Sequence, residues 1–204
     1  KIMEKTDVLT IKIYDGLFNS HLLKSLFSYT DNISWQFGSE YTDDDPFSMK
    51  FWGFPIMTDN DLFISQSEVI PDKISKCDKI IQETWNILNS QMEFIHMNLH
   101  VNTIILNGVS YGQEGGIHVD HGSEHPNAGE GNYTAIIYLN REWTPSCQGE
   151  TILYNIEGTE ITKAIIPKPG RMLLFDSRIP HQARPPHRSV DDLRITMAFH
   201  LSRH

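Results

Sequence analysis

Gly116-Ile117-His118-Val119-Asp120-His121-Gly122 is the stretch from which the fold and the site of this chain are best inferred. Side chains two residues apart point to the same face of an extended strand, so His118 and Asp120 converge on one point if this stretch is extended. The chain has 10 histidines and 26 acidic residues, and a single His-x-Asp pair therefore arises easily by chance. The pair needs a third ligand before it indicates a metal site.

The third ligand is expected to be His181, in Ser177-Arg178-Ile179-Pro180-His181, where another short strand-like run begins. Two histidines and one carboxylate on one side of a metal leave its remaining positions open for other ligands. This donor set is typical of non-haem Fe(II) oxygenases. The sequence therefore predicts a metal site formed by His118, Asp120 and His181.

The composition indicates a packed protein that does not bind nucleic acid. With 204 residues, 39% of them hydrophobic, the chain can bury one sizeable core, and we expect a single domain over residues 1–204. The 26 acidic residues outnumber the 17 lysines and arginines, and the formal charge of −9 argues against a nucleic-acid partner. No apolar run approaches membrane-spanning length, so no membrane partner is expected. The two cysteines indicate neither a disulfide framework nor a zinc site, which favours a cytoplasmic location.

The N-terminal residues, about 1–93, predict strands and helices that flank the core. Residues 8–14 alternate apolar and polar side chains, which predicts a half-buried strand. A helix capped by Asn19 or Ser20 follows, and a second helix is expected from about Pro71 to Asn89. Both helices are expected to pack on the outside of a sheet. Residues 30–54 are rich in aromatic side chains and are interpreted as irregular.

From Phe94 onward the sequence predicts one short strand after another. Residues 94–102 alternate apolar and polar side chains, so His96 and His100 are assigned to a polar strand face rather than to a metal site. The later strands are expected at residues 132–140, 150–154, 160–166, 172–175, 181–184 and 193–201. Short strands at this spacing favour a mainly β fold with flanking helices. Its core is predicted to be a double-stranded β-helix (jelly roll) over about 94–204, preceded by an N-terminal α/β extension.

The C-terminal half, roughly residues 100–201, carries a series of short motifs in a fixed order. They are Tyr111-Gly112 leading into His118-x-Asp120, Tyr138-Leu139-Asn140 with Trp143, Gly149-Glu150-Thr151, Pro169-Gly170-Arg171 followed by Leu173-Leu174-Phe175, Pro180-His181, and Arg194-Ile195-Thr196. Each string is common, but six in register are hard to obtain by chance. Together they resemble the 2-oxoglutarate/Fe(II)-dependent dioxygenases, and among these the prolyl-hydroxylase-like branch.

The resemblance implies an iron centre and its cofactors. His118, Asp120 and His181 would hold Fe(II), with 2-oxoglutarate as co-substrate, O2 as oxidant and ascorbate as a candidate reductant. The implied reaction is oxidative decarboxylation of 2-oxoglutarate to succinate and CO2, coupled to hydroxylation of an unactivated C–H bond. Related halogenases have a small residue in place of the carboxylate, so Asp120 argues against halogenation.

The resemblance also implies a binding site for the far carboxylate of 2-oxoglutarate. Arg194 would pair with it, because a guanidinium binds a carboxylate through two parallel hydrogen bonds and stays charged when desolvated. Thr196, two residues further on, would face the same way in a strand. Tyr138 would donate its hydroxyl to the same carboxylate, and Tyr111 would line the co-substrate pocket.

Two other arginines compete with Arg194 for this role. Arg184 and Arg188 lie closer to His181 in sequence, but two prolines between them predict a loop, whereas residues 193–201 predict a strand. Arg194 is therefore preferred as the carboxylate-binding residue.

The expected substrate is a small molecule, either amino-acid-like or an amine. Acidic residues at 40–45 and within 121–131 would favour a cation if they flank the cavity. A protein or peptidyl side chain such as proline is the alternative within the same family. Two other classes stay open: a cupin-type metal protein that does not use 2-oxoglutarate, and a non-catalytic module that binds the metal or 2-oxoglutarate without turnover.

Overall fold

The computed structural model describes residues 9–39, 49–58, 73–120 and 131–203. The helices in these ranges are α1 (Ser20–Asn32), α2 (Lys79–Asn89) and α3 (Met92–Met97). The strands are β1 (Ile11–Tyr14), β2 (Gln36–Ser39), β3 (Phe51–Met57), β4 (Leu99–Val109), β5 (Asn132–Tyr138), β6 (Thr151–Tyr154), β7 (Ile161–Ile165), β8 (Met172–Asp176), β9 (His181–Ala183) and β10 (Arg194–Arg203). Within the described ranges, no helix has the length and apolar character needed to span a membrane.

The strands form two antiparallel sheets. The larger sheet has seven strands in the order β1-β8-β5-β10-β4-β3-β2, and the smaller sheet has three in the order β7-β6-β9. Strand β10 lies in the middle of the larger sheet and pairs with β4 along its full length and with β5 along most of it. The predicted mainly β fold with a jelly-roll core is confirmed.

Strand β10 shows how one sheet serves both the apolar core and the site. Alternate side chains of a strand face opposite sides of the sheet. The positions that are fully buried in the larger apolar cluster are Met197, Phe199 and Leu201. The positions in between, which line a cavity between the two sheets, are Arg194, Thr196, Ala198 and His200.

The two longer helices cover the outer face of the larger sheet. Helix α1 begins after Asn19, whose side-chain oxygen accepts a hydrogen bond of 2.8 Å from the backbone nitrogen of Leu22. Leu22 and Leu26 are buried in the larger apolar cluster, each contributing roughly 2 kcal/mol by removal of apolar surface from water. On α2, the Trp85 ring stacks on Phe199 with their centroids 6.1 Å apart. Both helices therefore pack outside the sheet, as expected.

The predicted strand over residues 94–102 is wrong in its first half. Met92–Met97 form α3, and Asn98 ends this helix in the left-handed conformation, with φ of 50°. Ile95, which the predicted strand places on the apolar face, is 55% exposed, whereas its neighbour Phe94 is fully buried. Alternation over so few residues cannot distinguish a short helix from a strand. His96 and His100 are both exposed, outside the cavity-lining set.

The stretch interpreted as irregular, residues 30–54, also needs correction. Strands β2 and β3 pair with each other, and β3 pairs with β4, so the larger sheet continues beyond the jelly-roll strands. Gly53 and Pro55 interrupt the strand pattern of β3 in the sequence. The second helix begins at Lys79, after a 3₁₀ turn at Lys73–Lys76, whereas Pro71 lies outside the described residues. The single-domain division stays a prediction.

Candidate metal and co-substrate site

The structure brings the three predicted metal ligands together between the sheets. The Nε2 atoms of His118 and His181 lie 3.7 Å and 3.4 Å from Oδ1 of Asp120, and all three ligand atoms are within 4.8 Å of one another. Backbone pairing creates this arrangement, because His118 and His181 exchange two backbone hydrogen bonds of 3.0 Å and 2.8 Å. The expected strand around His118 is thus a single bridge to β9 rather than a full strand.

Backbone carbonyls fix which nitrogen of each histidine faces the site. Nδ1 of His118 is 2.9 Å from the carbonyl oxygen of Gly116, and Nδ1 of His181 is 3.0 Å from that of Ile179. A carbonyl can only accept, so each Nδ1 carries the hydrogen and each Nε2 presents its lone pair to the site. Two such nitrogens and one carboxylate oxygen form a donor set that fits Fe(II).

Burial and neighbouring charges set the protonation of the three ligands. Burial, together with the nearby His181, lowers the pKa of His118 to about 4, so this imidazole is neutral near pH 7. Burial alone would raise the pKa of Asp120, but the imidazoles around it, His181 foremost, bring it below its ordinary value. Burial acts to lower the pKa of His181, and the Asp120 carboxylate outweighs that effect and raises it. The site thus offers a carboxylate and a neutral imidazole, the forms that bind a divalent cation.

Thr134 on β5 fixes the orientation of the Asp120 carboxylate. Its hydroxyl donates a short hydrogen bond to Oδ2 of Asp120 and lies 3.3 Å from the hydroxyl of Ser177. Thr134 is 1% exposed, so this bond is shielded from water. Because Oδ2 is held in this way, Oδ1 is the oxygen that faces the two histidines.

Arg194, at the other end of the cavity, is a buried cation. It is 1% exposed; its Nε donates to the carbonyl oxygen of Gly149 at 2.5 Å and its Nη2 to the hydroxyl oxygen of Thr151 at 2.8 Å. Among the described residues no carboxylate forms an ion pair with it. A buried guanidinium without an internal counter-ion is suited to an anionic ligand. The rivals Arg184 and Arg188 are both exposed and do not line the cavity.

Gly149 is required for the position of the guanidinium. Its φ is +80°, a left-handed conformation that other residues rarely adopt. A Cβ atom at this position would lie 3.1 Å from Cδ of Arg194 and 3.2 Å from the Trp143 ring. The glycine therefore allows the backbone carbonyl to approach Arg194 closely.

Tyr138 does not present its hydroxyl to the cavity in the way the sequence analysis expects. The hydroxyl donates to the Thr151 hydroxyl oxygen at 2.6 Å, and the Tyr138 ring lies 5.5 Å from the guanidinium carbon of Arg194. Thr151, which lines the cavity, accepts from both neighbours. A hydroxyl has two acceptor positions and one hydrogen, so the Thr151 hydrogen remains to donate elsewhere. The Gly149-Glu150-Thr151 motif does not by itself indicate this role for Thr151.

Tyr111 is not part of the pocket. It is 61% exposed and lies in the turn after β4, where the Gln113 backbone nitrogen donates to the carbonyl oxygen of Ser110. The strand ends before this residue, so the alternation that directs side chains into the cavity no longer applies. Tyr111 therefore does not line the cavity as expected. Thr196 is buried and lines the cavity, and its role toward the carboxylate stays a prediction.

The cavity has a volume of about 210 Å³, and besides Thr134 and Thr151 it is lined by two further polar residues that the sequence did not indicate. Asn107 on β4 lies opposite Thr196 in the strand register, and its side chain makes no hydrogen bond within the described part of the chain. His200 on β10 is the other. Continuing the alternation from Arg194 in steps of two would have selected it. The acidic residues at 40–45 and within 121–130, proposed to flank the cavity, lie outside the described residues.

Residues 105–201 match the family model of the 2OG-Fe(II) oxygenase superfamily. The match covers just under half of the chain, its C-terminal part. Members of that superfamily use Fe(II) and 2-oxoglutarate, and the two-histidine, one-carboxylate cluster of this chain matches the metal such enzymes require. A search of curated protein sequences found no match.

Several solved structures share the fold of this chain. An oxidoreductase of the 2OG-Fe(II) oxygenase family from Burkholderia pseudomallei is 13% identical, with a TM-score of 0.64 over 95% of this chain and 85% of that chain. A Trichoplax adhaerens prolyl hydroxylase, in complex with a hypoxia inducible factor oxygen degradation domain peptide fragment, is 16% identical, with a TM-score of 0.63 over 95% and 83%. HygX from Streptomyces hygroscopicus, with nickel, 2-oxoglutarate and hygromycin B bound, is 10% identical, with a TM-score of 0.57 over 97% and 84%. Likeness at these identities establishes the fold.

Proposed function

We propose that this oxygenase hydroxylates an unactivated C–H bond, with Fe(II) held by His118, Asp120 and His181. In the same proposal, Arg194 binds the far carboxylate of 2-oxoglutarate. The observation that carries it is that a cluster of three metal-ligand atoms and a buried arginine line one cavity. A metal at one end can bind the keto-acid group of 2-oxoglutarate, and a cation at the other end can bind its far carboxylate.

The chain's own groups prepare the metal position. Iron, 2-oxoglutarate and O2 together supply the oxidising chemistry when bound. His118 and His181 contribute Nε2 lone pairs because their Nδ1 hydrogens are held by backbone carbonyls. Asp120 contributes Oδ1 because Thr134 holds the other oxygen. Three protein ligands leave room on the metal for the co-substrate.

The carboxylate end is a hydrogen-bonding site around Arg194. Two of its N–H groups are used by Gly149 and Thr151, and the other guanidinium hydrogens remain for the ligand. Thr151 adds its free hydroxyl hydrogen, and Thr196 adds a second hydroxyl on the same cavity wall. Hydrogen bonds to charged groups contribute roughly 1.5–3 kcal/mol each, so this end supplies much of the affinity for 2-oxoglutarate.

For the substrate we propose a small molecule, amino-acid-like or an amine. The formal charge of −9 favours a cation over an anion, and the cavity of about 210 Å³ suits a small group. A peptidyl side chain such as proline is the alternative. The two kinds of substrate both occur on this fold, since the Trichoplax enzyme was solved with a peptide fragment and HygX with hygromycin B.

The test is anaerobic addition of Fe(II) and then 2-oxoglutarate to the full chain, followed by visible absorption. We expect a weak charge-transfer band that needs both additions, and succinate release once O2 is admitted. A protein that binds the metal but never gives the band would be a cupin-type metal protein instead. A protein that gives the band but releases no succinate with any substrate would be a non-catalytic module.

The substrate class is tested by comparing succinate release with free amino acids, simple amines and a proline-containing peptide. Stimulation by the free compounds, with their hydroxylated products identified by mass spectrometry, is the expected result. Stimulation by the peptide alone would contradict the small-molecule proposal while leaving the hydroxylase assignment intact.

A further inference from the structure

The turn between β8 and β9, residues 176–179, contacts two of the three proposed metal ligands. The carbonyl oxygen of Ser177 accepts a hydrogen bond of 3.3 Å from the backbone nitrogen of Asp120. The carbonyl oxygen of Ile179 accepts one of 3.0 Å from Nδ1 of His181. The position of this short turn therefore affects both the backbone of Asp120 and the orientation of the His181 ring.

Asp176, the first residue of the turn, holds the turn closed. Its Oδ1 accepts a hydrogen bond of 3.0 Å from the backbone nitrogen of Arg178. Asp side chains at turns commonly accept a hydrogen bond from the backbone two residues on. The carbonyl oxygen of Asp176 also accepts a hydrogen bond of 3.0 Å from the backbone nitrogen of Ile179. These two bonds constrain the directions in which the carbonyl groups of Ser177 and Ile179 point.

The Arg178 guanidinium in turn fixes the Asp176 carboxylate, and we call the two residues the Asp176–Arg178 pair. Nε donates to Oδ1 at 2.9 Å and Nη2 to Oδ2 at 2.7 Å, a bidentate geometry that defines the orientation of both groups. The Asp176 side chain is 4% exposed and that of Arg178 is 29% exposed. A buried ion pair is in general no more stabilising than apolar side chains of similar volume. The distinct contribution of this pair is therefore the orientation that it imposes on the turn.

Neither residue of the pair is placed to contact a ligand. Asp176 and Arg178 are not among the described residues that line the cavity. The neighbour Phe175 faces the site instead, with its ring centroid 4.8 Å from that of His181, and successive side chains of a strand point to opposite sides. Any effect of the pair on a bound metal must therefore pass through the turn.

We propose that Asp176 and Arg178 are positioning residues that hold Asp120 and His181 in the geometry a metal ion requires. The carbonyl group of Ser177 carries the effect to Asp120, and that of Ile179 carries it to His181. Partners that orient metal ligands typically change metal affinity by about 10–100-fold when they are removed. The inference rests on the proposed function, because it needs a metal at the predicted ligands.

The experiment titrates Co(II), whose visible absorption reports the ligand geometry, into the full chain well below its unfolding temperature. Asp176→Ala removes both the turn acceptor and the charge, and we expect it to bind Co(II) roughly 30-fold more weakly than wild type. Asp176→Asn and Arg178→Gln each remove one charge but keep an acceptor for the backbone nitrogen at position 178. Each should lose about fivefold in Co(II) affinity. The visible spectrum of bound Co(II) should change in all three variants.

The matched control is Asp15→Asn, which breaks a carboxylate–arginine pair of the same kind, with Arg171, outside the cavity. It should leave the affinity for Co(II) and the spectrum at their wild-type values. A purely structural role of Asp176 and Arg178 would lower the unfolding temperature and change neither quantity. Wild-type affinity and spectrum in the two milder variants, Asp176→Asn and Arg178→Gln, would overturn the inference alone, even if Asp176→Ala does not fold. Failure of the wild type to bind Co(II) would overturn the proposed function and this inference with it.

Discussion

Both ends of the cavity are held in shape by hydrogen bonds, but the metal end presents lone pairs and a carboxylate, whereas the carboxylate end presents a cation. At the metal end, His118 and His181 aim lone pairs at the same point as the Asp120 carboxylate, an arrangement that calls for a cation. Without a metal a proton partly takes that role, which is why Asp120 raises the pKa of His181. The Arg194 guanidinium, by contrast, is itself a cation, held by two hydrogen bonds to the carbonyl of Gly149 and the hydroxyl of Thr151.

The difference implies that the two ends respond differently to mutation. Loss of one metal ligand weakens binding of the metal ion that the other two ligands also contact. Loss of a hydrogen bond at the carboxylate end weakens one contact in a network that is otherwise preorganised. Substitutions at the two ends should therefore separate metal binding from 2-oxoglutarate binding.

The largest effect is expected for His181→Ala. It removes one of three metal ligands, and we expect Fe(II) affinity to fall by more than about 100-fold. Loss of a residue that only hydrogen-bonds to a metal ligand already costs up to about 100-fold. The charge-transfer band and succinate release should disappear with it. Mn(II) titration and the anaerobic spectrum provide the measurement, with His187→Ala in the following loop as the control. Turnover at the wild-type level in His181→Ala would refute the metal-site assignment.

Arg194→Ala should weaken 2-oxoglutarate binding on the order of 100-fold or more while Fe(II) still binds within a few-fold. Removing one member of a buried charge pair costs about 2–5 kcal/mol, and each 1.4 kcal/mol is a factor of about ten. Titration of 2-oxoglutarate into the Fe(II) protein, followed by the visible band, measures this loss. The exposed Arg184 provides the control, because Arg184→Ala should behave like wild type. A loss in the control instead of in Arg194→Ala would show that the carboxylate binds elsewhere.

Substitutions of Thr151 and Tyr138 test which hydroxyl at the carboxylate end contacts 2-oxoglutarate. Thr151→Val removes a hydroxyl that lines the cavity, and we expect 2-oxoglutarate to bind about tenfold more weakly. Tyr138→Phe removes a hydroxyl that acts through Thr151, so its effect should be only a few-fold. Thr151→Ser should restore most of the affinity. The opposite order of effects would mean that Tyr138 contacts the carboxylate directly, as the sequence analysis expects.

The sequence predicts the jelly-roll strands well because their side chains alternate between a buried core and a cavity. Most observed strand bounds in the C-terminal half fall within a residue or two of the expected ones. The prediction fails where alternation is short or interrupted. Residues 94–97 alternate but form the end of α3, and β3 contains Gly53 and Pro55, which disguise a strand. In both places the neighbouring chain, rather than the local pattern, decides the conformation.

The site follows the same logic. Spacing by two residues suffices to propose that His118 and Asp120 lie on one face of the chain, and that Arg194 and Thr196 do so as well. In an extended strand, side chains two residues apart point to the same side. Spacing by two from Arg194 reaches His200, but the partners of His200 and Thr151 lie on other strands and cannot be read from spacing. Tyr111 was assigned from the family resemblance, and it lies in the turn after β4, where its side chain is 61% exposed.

The smallest effect, a change in the free energy of unfolding, is expected for Asp15→Asn. Asp15 lies outside both ends of the cavity. The Asp15 carboxylate accepts hydrogen bonds from Arg171 at 2.9 Å and 3.0 Å and from Lys168 at 3.2 Å, which lowers its pKa to about 2. A lowered pKa contributes stability that is present above the unfolded-state value near 4 and is lost as the pH falls through about 2. Because the group is 41% exposed, the contribution is screened by solvent and should stay below about 1 kcal/mol.

Urea unfolding of wild type and Asp15→Asn at pH 7, 5 and 3 measures this contribution. The variant should unfold at a slightly lower urea concentration at pH 7 and 5. The difference should shrink at pH 3, because the Asp15 carboxylate of the unfolded wild-type chain takes up protons below about pH 4 and this stabilises the unfolded state. Glu157→Gln, on an exposed turn, is the matched control and should change little at any pH. Metal and 2-oxoglutarate affinities should be unaffected in both variants. A loss of either affinity in Asp15→Asn would mean that the contact between the β1 turn and Arg171 supports the cavity, and the division between its two ends would then extend into the N-terminal residues.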